Sequence, residues 1–80
     1  MVTVRLWGSL GDLAGKTEVE IPATTLRELL QGLEETYPAL KPQLERGVSV
    51  SIDGKIYNDS WSTPIREDSE VVLLNRLVGG

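Results

Sequence analysis

Ser9, Ser49, Ser51, Ser60, Ser62 and Ser69 carry hydroxyls, but the chain has no histidine to activate them and no cysteine. A serine nucleophile needs a base within hydrogen-bond reach. Thiol chemistry, disulfides, Cys-bearing zinc sites and imidazole acid–base work are excluded by composition. The acids group at Glu18/Glu20, Glu34/Glu35 and Glu67/Asp68/Glu70. All lie in surface-like segments with no apolar pocket to raise a pKa, so they read as solvated charge. Gly8-Ser9-Leu10-Gly11 lacks the Gly-Lys-Ser/Thr of a phosphate loop. Asp53-Gly54 lacks the spaced acidic ligands of a calcium loop, and no metal site is expected.

What remains is the end of the sequence, Gly79-Gly80. Glycine is costly to order and offers nothing to pack, so a terminal pair does little for the fold. Its merit is slimness. A tail without β-carbons passes a narrow channel and presents the Gly80 carboxylate to another protein's active site. Residues 75–80 reach roughly 20 Å when extended. The carboxylate is ionised and unreactive at neutral pH. It becomes an acyl donor only after activation, most simply as an acyl-adenylate made from ATP by a partner. The plainer alternative is an inert, frayed end.

The elements that must position this tail are legible in the periodicity. Residues 1–7 read as a strand, with Val2, Val4 and Leu6 on one face and Thr3, Arg5 and Trp7 on the other. Gly8, Ser9, Gly11, Asp12 and Gly15 break the pattern, so residues 8–15 read as a structured, partly apolar loop. Residues 16–21 alternate again, closing a hairpin with a long turn. Thr25-Leu26-Arg27-Glu28 fits a capping box, and Leu26, Leu29, Leu30, Leu33 and Tyr37 recur at helical spacing. Gly32 weakens that helix by up to about 1 kcal/mol relative to Ala. Pro38 ends it.

Residues 39–46 form a short helical turn anchored by Leu40 and Leu44. Val48, Val50 and Ile52 alternate with Ser49 and Ser51 in a third strand, and Asp53-Gly54 is a two-residue hairpin turn with positive φ at both positions. Residues 55–57 return. Residues 58–69 are loop, with Trp61, Pro64 and Ile65 as anchors. Glu70-Val71-Val72-Leu73-Leu74 is the last strand and suits a central position. The order predicts an α+β domain, a mixed four- to five-stranded sheet with one main helix packed across it, over residues 1–74. Residues 75–80 are a flexible Gly-Gly tail.

Twelve acids against eight bases give a net charge of −4. That sign opposes nucleic-acid binding, which needs clustered Lys and Arg. No apolar run approaches the length of a membrane span and no basic-then-apolar leader opens the chain, so a soluble, cytoplasmic protein is expected.

Strand parity locates a docking face. If Val2, Val4 and Leu6 face the helix, Trp7 points away. If Val71 and Leu73 face it, Val72 and Leu74 point away. The Asp53-Gly54 turn pairs Ile52 with Lys55, which puts Ile56 outward too and Lys55 on the core side, awkward unless it reaches the sheet's edge and snorkels. Apolar side chains on the face without a helix mark a protein interface. The alternative is that residues 58–69 fold over the patch with Trp61 or Ile65 as a lid.

Across essentially its whole length the sequence resembles the MoaD/ThiS group of ubiquitin-like sulfur carriers. The resemblance rests on residues 2–7 (VTVRLW), 10–15 (LGDLAG), 25–30 (TLRELL), 70–74 (EVVLL) and Gly79-Gly80. It implies the β-grasp (ubiquitin-like) fold. The long first turn with Leu13-Ala14-Gly15 is most similar to the small subunit of molybdopterin synthase. What the resemblance implies is a carrier and not an enzyme. It binds no cofactor. An E1-like enzyme of the MoeB/ThiF type uses ATP to adenylate Gly80, and a sulfur-donating enzyme completes a thiocarboxylate. That group passes sulfur to a pterin precursor on a larger synthase subunit.

Arg76, Leu77, Val78 and Gly79 are then the tail's partner contacts, and Trp7, Ile56 and Leu74 match the positions that meet the activating enzyme and the larger subunit. Members of the molybdopterin branch usually carry Pro-Pro where this chain has Asn75-Arg76, and Arg76-Leu77 resembles the tail of ubiquitin. Thiamine, a tRNA base, an amino acid, another metabolite or a protein lysine therefore stay open as acceptors beside molybdopterin. So does a plain interaction module with an inert tail.

Overall fold

The computed structural model describes residues 1–58 and 60–75. Strand β1 (Val2–Leu6) is followed by helix α1 (Ser9–Ala14), strand β2 (Glu18–Ile21) and helix α2 (Leu26–Thr36). A 3-10 turn (Pro38–Leu40) leads into α3 (Lys41–Arg46), then come β3 (Val48–Ile52), β4 (Lys55–Tyr57) and β5 (Val71–Asn75). The sheet order is β2-β1-β5-β3-β4. β1 and β5 run parallel at its centre, and the other three pairings are antiparallel. This is the expected mixed sheet with one main helix across it, a β-grasp fold.

Alternation explains which face α2 covers. Val2, Val4 and Leu6 of β1, Val71 and Leu73 of β5, and Val48, Val50 and Ile52 of β3 are buried. Leu26, Leu29 and Leu33 of α2 close over them as one apolar stripe. Asp53 and Gly54 have φ of 51° and 88°, the doubly positive geometry of a tight hairpin turn.

The first glycine-rich segment is a correction. Residues 8–15 hold a six-residue helix, not a loop. Gly8 (φ 58°) turns the chain into α1, and Gly15 (φ 76°) ends it in the left-handed conformation. Between them Leu10 is fully buried. Gly11 fits because a β-carbon there would lie 3.1 Å from the Leu6 carbonyl oxygen and 3.3 Å from that of Lys16. The glycines that break the sequence pattern therefore serve as two ends and one close approach.

At the start of α2, Thr25 Oγ1 accepts from the Glu28 N–H at 3.3 Å, as a capping box requires. The reciprocal arm differs from expectation. The Glu28 carboxylate accepts from Thr24, at 2.7 Å from its N–H and 2.6 Å from its hydroxyl. The Leu26 and Arg27 N–H groups bond the carbonyls of Thr63 and Trp61, both at 2.9 Å. Loop carbonyls thus serve donors that a helix start leaves unpaired.

The same bonds decide where residues 61–65 lie. Ile65 is buried in the core and donates its N–H to the Thr24 carbonyl, and Trp61 packs against the core's edge. The loop docks against α2, so neither residue is a lid on the open face. Lys55 reaches out at the sheet edge, on edge strand β4, and is exposed, its Nζ 5.5 Å from the Tyr57 ring centroid.

Candidate functional site

The face of the sheet that α2 leaves open is built from the residues alternating with the core. Register lines them up in rows. Arg5 stands opposite Val72, Val72 opposite Ser51, and Ser51 opposite Ile56. One step along, Leu74 stands opposite Ser49. Trp7 follows Leu6, whose partner is Leu73, and its N–H donates to the Leu73 carbonyl at 3.1 Å, so Trp7 falls beside Leu74.

Trp7 is 61% exposed and Ile56 51% exposed, while Val72 and Leu74 are half-buried between their neighbours. The three residues expected as contacts, Trp7, Ile56 and Leu74, are therefore together on one surface, with Val72 among them. Ser49 and Ser51 make a low strip between the β5 apolar residues and Ile56. Ser49 is buried, its hydroxyl donating to Asn58 Oδ1 at 2.5 Å. On the β2 side, Arg5 Nε lies 3.7 Å from Glu18 Oε2, an exposed pair that contributes little to stability.

Sequence reading passed over several residues of this region. Val72 was placed on the open face by parity but not among the contacts. Leu13, 44% exposed on α1, was hidden by the assignment of its segment to a loop. Ser9 and Asn75 are bonded, Asn75 Nδ2 donating to Ser9 Oγ at 3.3 Å across 66 positions of sequence. No local pattern reports such a contact. Gly80, Gly79, Val78, Leu77 and Arg76 lie outside the described residues. β5 runs through Asn75, one residue into the span expected as tail.

Among the described residues no group of carboxylates is placed to hold a metal ion, and none of the helices is long and apolar enough to cross a membrane. Hydrogen bonds from the Thr24 hydroxyl and backbone hold the Glu28 carboxyl below the ordinary 4.5. That is a helix-capping effect. A shallow groove lined by Leu30, Leu44 and Trp61 sits on the α2–α3 side and does not join the apolar rows. The open face carries exposed Trp7 and Ile56 with half-buried Val72 and Leu74 beside them.

The sequence model of the ThiS family matches residues 4–80. The chain belongs to the ThiS family. A comparison with curated proteins returns no match. Among solved structures, this ThiS-family chain is similar to the complex of subunits 1 and 2 of molybdopterin-converting factor from Helicobacter pylori. That match has 26% identity and a TM-score of 0.72, covering 99% of this chain and 97% of that one. It is also similar to small archaeal modifier protein 1 from Methanosarcina acetivorans, with 24% identity and a TM-score of 0.80 over 99% and 95% of the two chains. The BexX/CysO complex of Amycolatopsis orientalis matches with 19% identity and a TM-score of 0.78 over 100% of both chains. The last two likenesses are of fold. As a ThiS-family member, the chain is a ubiquitin-like protein of the sulfur-carrier group.

Proposed function

We propose that the chain is a sulfur carrier whose Gly80 carboxylate is activated and loaded by partner enzymes. The observation that carries this reading is the apolar surface beside β5. The central strand bears outward Leu74 next to Trp7, and Gly79-Gly80 follow in the sequence four residues after Asn75. One partner can seat on Trp7, Leu74 and Ile56 and receive the end of the same chain. The family match supports the reading because it extends to residue 80 and so includes both glycines.

The chemistry follows from the terminal carboxylate. It attacks the α-phosphorus of ATP on an E1-like enzyme of the MoeB/ThiF type, forming the acyl-adenylate and releasing pyrophosphate. Hydrosulfide, supplied by a sulfur-donating enzyme, then attacks the acyl carbon. AMP leaves with the C–O bond's electron pair, the hydrosulfide proton goes to solvent, and the thiocarboxylate remains. Arg76, Leu77, Val78 and Gly79 are the tail's contacts with the partner. The chain itself acts in the cytoplasm as carrier and catalyses no step. The acceptor this reading favours is a pterin precursor on a larger synthase subunit, since a similar complex joins the two subunits of molybdopterin-converting factor.

ATP–pyrophosphate exchange with the activating enzyme tests the first step. The full chain supports exchange, and deletion of Gly80 abolishes it while melting stays unchanged. Exchange by the deletion variant would remove Gly80 from its role.

A further inference from the structure

At the end of the sheet where β5 finishes, the ladder loses a partner. The parallel pairing of β1 with β5 ends at Leu6 opposite Leu73. On the other side β3 still faces Asn75 through Val48. Gly8, at φ 58°, turns the chain after Trp7 away from the sheet and into α1. Asn75 is the last described residue of β5 and, among the described residues, has a strand neighbour on one side only. Into that gap α1 puts Ser9, and its hydroxyl accepts from the Asn75 side-chain amide.

The geometry points to Ser9 and Asn75 as positioning residues that aim the C-terminal segment, an inference that rests on the carrier reading above. Held by β3 on one side and Ser9 on the other, Asn75 is a restrained root for the residues that follow it. Those five residues reach roughly 17 Å when extended. Small freedom at their root spreads Gly80 over a large volume, which lowers its effective concentration at a partner's active site. An exposed 3.3 Å bond contributes little to global stability, so its effect falls on presentation and not on folding.

The test pairs relaxation of the free protein with kinetics. In the ¹⁵N-labelled full chain, Ser9→Ala lowers the order parameters of the Asn75 backbone and side-chain amides, and Ser9→Thr, which keeps the hydroxyl, leaves them as in wild type. With the activating enzyme, Ser9→Ala and Asn75→Ala each lower kcat/KM for exchange by about threefold, the scale of one exposed hydrogen bond. The double variant falls no further than either single, because both remove the same bond. Ser9→Thr keeps the wild-type rate. Unchanged order parameters in Ser9→Ala, or additive losses in the double variant, would overturn the positioning role. If wild type itself supports no exchange, the carrier reading fails, and the relaxation contrast decides the Ser9–Asn75 restraint by itself.

Discussion

A β-carbon at position 32 would stand 2.6 Å from Cγ2 of Ile21, so α2 rests on β2 through a glycine. The residue that weakens the helix on propensity is the one that lets it approach the sheet. Ala at this site gains up to about 1 kcal/mol of helix propensity. Against that stands overpacking of a buried, β-branched neighbour, which costs about 1–3 kcal/mol. Gly32→Ala is therefore net destabilising, and denaturant unfolding checks the sign. Ile21→Ala, which vacates the contact, turns the same Gly32→Ala change neutral or favourable in the double variant.

The Glu28 carboxylate is held low by Thr24, which gives the stability a definite pH dependence. A group whose folded pKa is depressed contributes stability above its unfolded value and loses it as pH falls through the folded one. Glu28→Gln thus melts below wild type at about pH 7, and the gap narrows at about pH 3, below the ordinary carboxylate range. Thermal unfolding at the two pH values reads this directly. A constant gap would show that charge at Glu28 is irrelevant.

Much of this frame was legible because periodicity reports burial. Alternation placed Val2, Val4, Leu6, Val71 and Leu73 inward and Trp7, Leu74 and Ile56 outward. The helical stripe and Pro38 fixed α2. The glycine-rich residues 8–15 misled for a physical reason: Gly8 and Gly15 are the ends of a helix too short for periodicity to reveal, and Gly11 is a packing contact. Ser9–Asn75 and Gly32–Ile21 were not legible, since each depends on segments brought together by the sheet order.

The α1 assignment carries its own check. Leu10 is fully buried, so Leu10→Ala costs about 2–5 kcal/mol, as for a core leucine. Leu13→Ala, on the exposed side, changes stability by less than about 0.5 kcal/mol. Equal effects of the two substitutions in urea unfolding would contradict the helix.

The open face predicts a separation of folding from binding. Trp7→Ser and Ile56→Asp remove exposed side chains and shift stability by about 0.5 kcal/mol or less. Each weakens binding to the activating enzyme, by about tenfold or more for the aromatic residue if it is the anchor of the contact. Calorimetric titration beside thermal melting resolves the two effects. Collapse of the fold in both variants would show core residues instead of a docking surface.

The central claim is the fate of Gly80, and intact mass spectrometry reads it most directly. The full chain is incubated with the E1-like enzyme, ATP and sulfide, and then weighed. The account predicts a product heavier by the difference between one sulfur and one oxygen, located at Gly80 by fragmentation and absent without ATP. An unchanged mass in the presence of active enzyme, or covalent ladders with no thiocarboxylate species, would contradict it.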